Sequence, residues 1–258
     1  MATDRTLTII NWIREYFIKN GPDSPAVIGI SGGKDSTVVG KLLVDALGPE
    51  RVIAVKMPQG EQHDIDVANQ VIKYLQIPEE NIYEINIGDM VTSIYDGLYL
   101  AGFNLTTLPQ VTSNTPARVR MTILYAIAAA KHGRVANTCN RSENYVGYST
   151  KFGDAAGDFS PLHDYTVREV LQIGKDLGIP LAFLEKPPED GLSGLTDEAN
   201  LGFYYDTLDR LLLDKDVPEY PIYKKIETLH ARNEHKLKPM PKAPYVNEQG
   251  RFVHQYRF

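Results

Sequence analysis

The chain has 258 residues and 43% apolar content, enough for one large α/β domain or two small ones with an ordinary soluble core. A formal net charge of -6 and a sequence pI near 5.6 argue against a nucleic-acid partner held by bulk charge, since phosphate contacts need Lys and Arg in excess. One cysteine, Cys139, excludes a disulfide framework within the chain and suits a reducing cytosol. No apolar run approaches the roughly 20 residues a bilayer requires. The N-terminal stretch, with Asp4 and Arg5, has no signal-peptide pattern. The expected location is cytoplasmic.

Residues 7–18 carry apolar positions at helical spacing and stop at Asn20-Gly21-Pro22. Residues 26–30 read as a buried strand, 36–47 as a helix closed by Gly48-Pro49, and 52–55 as a second strand. A helix is expected over 64–75, with Pro78 just beyond it. Residues 82–87 alternate as a third strand does. An Ala-rich helix spans 116–132 and ends at Gly133, followed by a short strand at 134–137. A loop rich in glycines and acids runs from 138 to 161. Helices are expected at 166–177, 198–213 and 223–234, with a Pro-rich extended tail from Lys236. Between 185 and 196 the composition turns to Pro, Gly, Ser and Asp, which reads as a mobile loop over a site. Strands alternating with helices make a parallel sheet covered on both faces. No repeat and no dividing linker is visible, so residues 1–258 read as a single domain.

The most informative stretch is Gly29-Ile30-Ser31-Gly32-Gly33-Lys34-Asp35-Ser36, at the end of the first strand. The glycine pair lets the backbone turn tightly and approach a ligand. The helix that follows points unpaired N–H groups and a partial positive charge at the turn, a setting that binds phosphate. Ser31 and Ser36 add hydroxyls, Lys34 a cation, and Asp35 a metal-holding carboxylate. The Walker pattern is absent. Taken alone, a Gly-Gly pair is an ordinary strand–turn–helix connection; the full S-G-G-x-D-S string is more specific and resembles the pyrophosphate loop of the N-type ATP pyrophosphatases.

Ligands of such folds sit outside the carboxyl ends of the strands, and three later segments aim there. Ala117-Arg118-Val119-Arg120-Met121 places two arginines two residues apart, so at most one serves a given site; the other reading is two surface charges. Thr138-Cys139-Asn140-Arg141-Ser142-Glu143, followed by Gly147-Tyr148-Ser149-Thr150-Lys151-Phe152-Gly153-Asp154-Ala155-Ala156-Gly157-Asp158, packs three acids among small residues. Mg²⁺ takes one or two carboxylates plus substrate phosphates, and Asp35 with Glu143 is the candidate pair. Lys151 and Asp158 suit an anionic ligand and its donors. Third come Asp190-Gly191-Leu192, Thr196-Asp197-Glu198 and the pair His235-Lys236.

Together these segments, in order, resemble the ammonia-dependent, single-domain NAD synthetases. The likeness runs from Ile28 to Lys236 and includes Met57-Pro58-Gln59-Gly60-Glu61-Gln62-His63-Asp64. It implies a Rossmann-like (adenine nucleotide alpha hydrolase-like) fold without a glutaminase domain. It implies ATP bound by Gly29, Ile30, Ser31, Gly32, Gly33, Lys34, Asp35, Ser36 and Thr138, and Mg²⁺ on Asp35 and Glu143. Arg118, Lys151, Asp158, His235 and Lys236 would bind deamido-NAD, in a homodimer with that site at the subunit interface. Three positions depart from the family. Val167 stands where many members carry Lys, Pro187-Pro188-Glu189-Asp190 offers no hydroxyl, and Asn137 replaces a usual Gly. Arg168 and Lys186 are the candidate substitutes for the missing ATP contacts.

The implied chemistry is ATP-dependent amidation, with Asp35 and Asp154 as the catalytic residues. The nicotinate carboxylate takes AMP from ATP, releasing pyrophosphate, and ammonia displaces AMP from the adenylate. Asp154 would orient or deprotonate the ammonia. The rival readings are another acceptor on the same loop (guanylate, argininosuccinate formation or a tRNA base) and a nucleotide-binding module without catalysis.

Overall fold

The computed structural model describes residues 4–60, 65–185 and 196–244. Residues 61–64 of the Met57 segment and residues 186–195, including Lys186, Pro187-Pro188 and Asp190-Gly191-Leu192, lie outside the described part, so most of the loop expected at 185–196 does too.

In chain order the elements are α1 (Asp4–Asn20), β1 (Ala26–Gly29), α2 (Lys34–Leu47), β2 (Val52–Lys56), α3 (Ile65–Tyr74), β3 (Ile82–Glu84), α4 (Gly88–Leu100), α5 (Pro109–Lys131), β4 (Arg134–Val135), α6 (Arg141–Val146), α7 (Val167–Asp176), α8 (Leu181–Leu184), α9 (Asp197–Leu201), α10 (Tyr205–Asp209) and α11 (Tyr220–Leu237). The strands form one parallel sheet in the order β3-β2-β1-β4. Successive strand side chains point to opposite faces, and here they feed two separate cores. Ala26, Ile28, Val52 and Ala54 pack with α1, α2, α3 and α7. Val27, Ile53, Val55 and Val135 pack with α4 and α5. A third cluster joins α6, α9, α10 and α11 through Val146, Leu201, Tyr205, Leu208 and Ile226. The expected α/β sheet with helices on both faces is therefore present. Among the described residues no helix is long and apolar enough to cross a membrane.

Several boundaries differ from the sequence reading, each for a physical reason. The helix expected at 116–132 starts at Pro109 and carries Pro116 inside it. A proline there has no N–H for the carbonyl four residues back. That acceptor, the Thr112 carbonyl, is taken instead by the Tyr95 hydroxyl of α4 at 2.9 Å. Arg118 consequently lies mid-helix. The loop expected at 138–161 contains α6, which opens on a capping box: Asn140 Oδ1 accepts from the Glu143 N–H, and Glu143 Oε2 accepts from the Asn140 N–H. The helix expected at 198–213 breaks at Gly202, in the left-handed region at φ 72°, into α9, α10 and a π-helical turn at Arg210–Asp214. The third strand stops at Glu84, although the Ile85 and Ile87 N–H groups still reach the Lys56 and Pro58 carbonyls. The strand expected at 134–137 is two residues long, with Ala136 bridging Phe159 alongside it.

Candidate active site

β1 lies between β2 and β4, so the chain's progress across the sheet reverses beside it, where α/β folds open a crevice. A cleft of about 610 Å³ occupies that position. Its floor is the turn after β1. Gly32 has φ 83°, and a Cβ on it would come within 3.1 Å of the Ala68 amide nitrogen, so this position needs glycine. Gly33 has an ordinary φ of -79°. Ser31 Oγ accepts from the Gly33 N–H at 3.2 Å, and Ser36 Oγ donates to the Gly33 carbonyl at 3.0 Å. Both hydroxyls brace the turn. The first amides of α2 have no acceptor within the helix and face the cleft end.

Lys34 is buried, and its Nζ meets Asp35 Oδ2 at 2.9 Å. Burial works against its charge, but Asp35, Glu143 and Asp197 outweigh that and lift the ammonium to about 12. Asn140, fully buried, connects the two candidate metal carboxylates. Its Nδ2 donates to Asp35 Oδ1 at 3.1 Å, while its backbone N–H donates to Glu143 Oε2 at 3.0 Å. Burial, and then the Asp35 charge, push the Glu143 carboxyl well above its ordinary range, with Lys34 opposing. Two acids joined through Asn140 in a poorly solvated corner form a donor set that a hard divalent cation fits. Among the described residues no cluster of three or more acid, His or Cys ligands exists, so the remaining ligands of such a cation would be substrate oxygens and water.

On the opposite wall, Thr150 N–H donates to Asp154 Oδ1 at 2.7 Å. The Asp154 side chain meets solvent in the cleft, yet the protein crowded around it raises its carboxyl above its ordinary value, with the Thr150 bond opposing. Asn137, the departure from the family glycine, is buried and organises this wall. Its Nδ2 donates to the Asp154 and Ala156 carbonyls, and its Oδ1 accepts from the Cys139 N–H and the Ser160 hydroxyl. Cys139 is buried, and burial together with the Glu143 and Asp154 charges raises its thiol, so it stays protonated.

The predicted residues fall into two groups. Gly29, Ile30, Ser31, Gly33, Lys34, Asp35, Ser36, Thr138, Glu143, Asp154 and Lys236 line the cleft; Gly32 lies beneath it in the turn. Arg118, Lys151 and His235 meet at its rim instead. Arg118 Nε donates to the Lys151 carbonyl at 3.2 Å, and Lys151 Nζ donates to the His235 carbonyl at 2.8 Å. Lys236 Nζ donates to the Gly147 and Ser149 carbonyls. Asp158 is committed to the sheet: its Oδ2 accepts from the Val135 N–H at 2.7 Å and its Oδ1 from the Tyr125 hydroxyl at 3.4 Å. Arg168 is exposed and paired with Asp214 and Asp206; it is not part of the cleft lining. Val167 packs against the third cluster instead.

Two further cations line the cleft: Arg120, the arginine of the pair that the sequence reading left unassigned, and Lys56, which it did not single out. Arg120, rather than Arg118, lines the cleft. Its Nε is anchored on the Met57 carbonyl at 3.0 Å, and its Nη groups have no hydrogen-bond partner among the described residues. Burial lowers its pKa, with Asp154 opposing. Lys56, at the end of β2, is buried between Glu84 and Asn69, each at 2.6 Å, and also lines the cleft. The strand end itself was the signal for Lys56.

A glycine turn, paired acids and inward cations at the switch point of a parallel sheet make a cleft suited to phosphate chemistry. The sequence pattern of the NAD synthase family matches residues 6–240, and the chain belongs to that family. Its fold is similar to that of NMN synthetase from Francisella tularensis, with 31% identity, a TM-score of 0.83, and coverage of 94% of this chain and 98% of that one. It is similar to the NH3-dependent NAD synthetase from Campylobacter jejuni, solved with nitrate, at 29% identity and TM-score 0.71 over 93% and 97% of the two chains. NAD+ synthetase from Burkholderia pseudomallei matches at 26% identity and TM-score 0.74 over 90% and 88%.

Proposed function

We propose that the chain, working as a single domain in the cytoplasm, amidates deamido-NAD with ammonia at the expense of ATP, giving NAD, AMP and pyrophosphate through an adenylate. The observation that carries this reading is the link Asp35–Asn140–Glu143 at the mouth of the glycine turn, inside a chain of the NAD synthase family. In step one a nicotinate carboxylate oxygen bonds to the α-phosphorus of ATP and pyrophosphate departs. The amides after β1 hold the departing phosphates, and Lys34 keeps its charge behind them. Asp35 and Glu143 would hold Mg²⁺, which neutralises charge gathering on the phosphates when it is bound. Arg120 presents its forked amines to the anion opposite the turn. In step two ammonia bonds to the acyl carbon and AMP leaves. Most ammonia is NH₄⁺ at neutral pH, and Asp154, with its raised carboxyl, takes the proton.

The reading includes a homodimer. α4 buries Val91 alone, while Met90, Ile94, Tyr99, Leu100 and the following Phe103 stand exposed, an apolar face that a second copy would cover. Arg118, Lys151 and His235 would take the dinucleotide from the rim.

A second reading changes only the acceptor: nicotinate mononucleotide. The likeness to the Francisella NMN synthetase favours it, and so does the engagement of Asp158 with Val135 and Tyr125, which occupies a carboxylate assigned to the dinucleotide. Pyrophosphate release from ATP, measured with each nucleotide and with or without ammonium, decides between them. A higher kcat/KM for deamido-NAD supports the first reading and for the mononucleotide the second. No release with either, at saturating Mg²⁺, overturns both.

A further inference from the structure

Tyr205 is 2% exposed, and its hydroxyl has no hydrogen-bond partner among the described residues. A buried hydroxyl without a partner is unfavourable, and Phe would fill the same space without that cost. Its surroundings indicate what the oxygen is for. Tyr205 opens α10, and its backbone N–H is fixed by Glu198 Oε1 at 2.9 Å. One helical turn on, buried Asp209 accepts from the Ser142 hydroxyl at 2.5 Å and from the Arg168 N–H at 2.7 Å. Ser142 directly precedes Glu143. The Tyr205 ring shares a core cluster with Val146, one turn past Glu143 on α6. Thus the α10 face bearing Tyr205 and Asp209 packs on the helix that presents Glu143. Burial above all, and after it the charges of Glu143, Asp197 and Asp35, hold the Tyr205 hydroxyl protonated. Glu143 itself has one oxygen fixed by Asn140, and its other oxygen has no hydrogen-bond partner among the described residues.

We propose that Tyr205 is a positioning residue for Glu143: its hydroxyl donates to the Glu143 carboxylate when nucleotide and cation enter the cleft, and fixes the direction in which that carboxylate faces Asp35. This rests on the reading of Asp35 and Glu143 as the cation-holding pair. Tyr205 touches neither substrate nor metal. It acts through Glu143, in the way that partners of ligating carboxylates orient them.

The test is Mn²⁺ binding to the full chain with ATP present and no nicotinate nucleotide, followed by calorimetry, for wild type, Tyr205→Phe, Glu143→Gln and the double variant. The expected result is a Tyr205→Phe protein with unchanged or higher Tm and Mn²⁺ affinity weaker by about tenfold, the scale of one hydrogen bond to a charged group. In the Glu143→Gln background the Tyr205 change has no further effect. In turnover, kcat falls while KM for the nicotinate nucleotide stays constant. Unchanged Mn²⁺ binding in Tyr205→Phe overturns the proposal, as does an equal loss in both backgrounds. A wild type that binds no Mn²⁺ at all overturns the carboxylate-pair reading, and the proposal with it. The binding arm reads out whichever nicotinate nucleotide is the substrate.

Discussion

The Asn140 side chain donates its Nδ2 to Asp35 Oδ1 across 3.1 Å, and its own Oδ1 accepts from the Glu143 N–H across 3.0 Å. One fully buried amide thereby sets the starts of α2 and α6 relative to each other. Asn140→Ala removes a helix cap and an acid's partner at once. The expected cost is about 2 kcal/mol of stability, seen by denaturant unfolding, with a loss in kcat larger than any rise in KM for ATP. A variant as active as wild type would remove the amide from the active-site framework.

Stability of the ligand-free protein follows the Glu143 carboxyl. Its folded-state value lies well above the ordinary 4.5, so the folded protein retains a proton that the unfolded chain has released. Stability from this group is complete below that ordinary value and disappears as pH rises through the folded value. Asp209, also raised by burial, acts in the same sense. The Tm of the apo protein is expected to fall as pH rises from about 5 toward neutrality, and Glu143→Gln or added Mg²⁺ to flatten that decline. A Tm climbing over the same interval would contradict the electrostatics.

Arg120 and Arg118 are expected to separate in function, because of the two only Arg120 lines the cleft. Arg120→Lys keeps the charge and loses the fork. A fall in kcat/KM of about tenfold, the equivalent of roughly 1.4 kcal/mol, is expected. Arg118→Ala is expected to raise KM for the nicotinate nucleotide and spare kcat. Identical kinetic profiles for the two variants would argue against the division.

Gly32 and Gly33 differ in the same way. Gly32→Ala meets a left-handed backbone and the Ala68 amide at 3.1 Å, and should cost about 1–3 kcal/mol. Gly33→Ala meets only Ser31 Oγ, at 3.3 Å. It should fold normally and lose ATP affinity if phosphate oxygens pass over that position. Calorimetric ATP titration of both variants, alongside their melting curves, gives the comparison.

The sheet and its flanking helices were legible because parallel strands buried on both faces read as continuous apolar runs between helical stretches, as at Ala26–Gly29 and Val52–Lys56. The turn after β1 was legible because its chemistry is local. Pro116 misled for a tertiary reason: the hydroxyl that satisfies Thr112 comes from Tyr95, in a helix the periodicity did not announce. The capping pattern Asn140-Arg141-Ser142-Glu143 is present in the sequence, but the glycines and small residues after it read as a loop, which cost α6. Spacing established that Arg118 and Arg120 face apart, but the packing of α5 against the sheet decides which one turns inward. Lys56 reaches the site through strand order, and Tyr205 is brought against α6 by helix docking, which no single stretch of sequence carries.

Asp158 has a consequence for the behaviour of the folded protein among its own copies. β4 is two residues long and lies at one margin of the sheet. Its outward Val135 amide is taken by a carboxylate, and the Val135 carbonyl accepts from the Asp158 N–H. With Phe159 bridging Ala136 beside them, that margin offers, among the described residues, no free Val135 amide or carbonyl for another strand to extend. Edge-to-edge growth of copies from this side is therefore blocked at Val135, and Asp158→Ala is the change expected to reopen it.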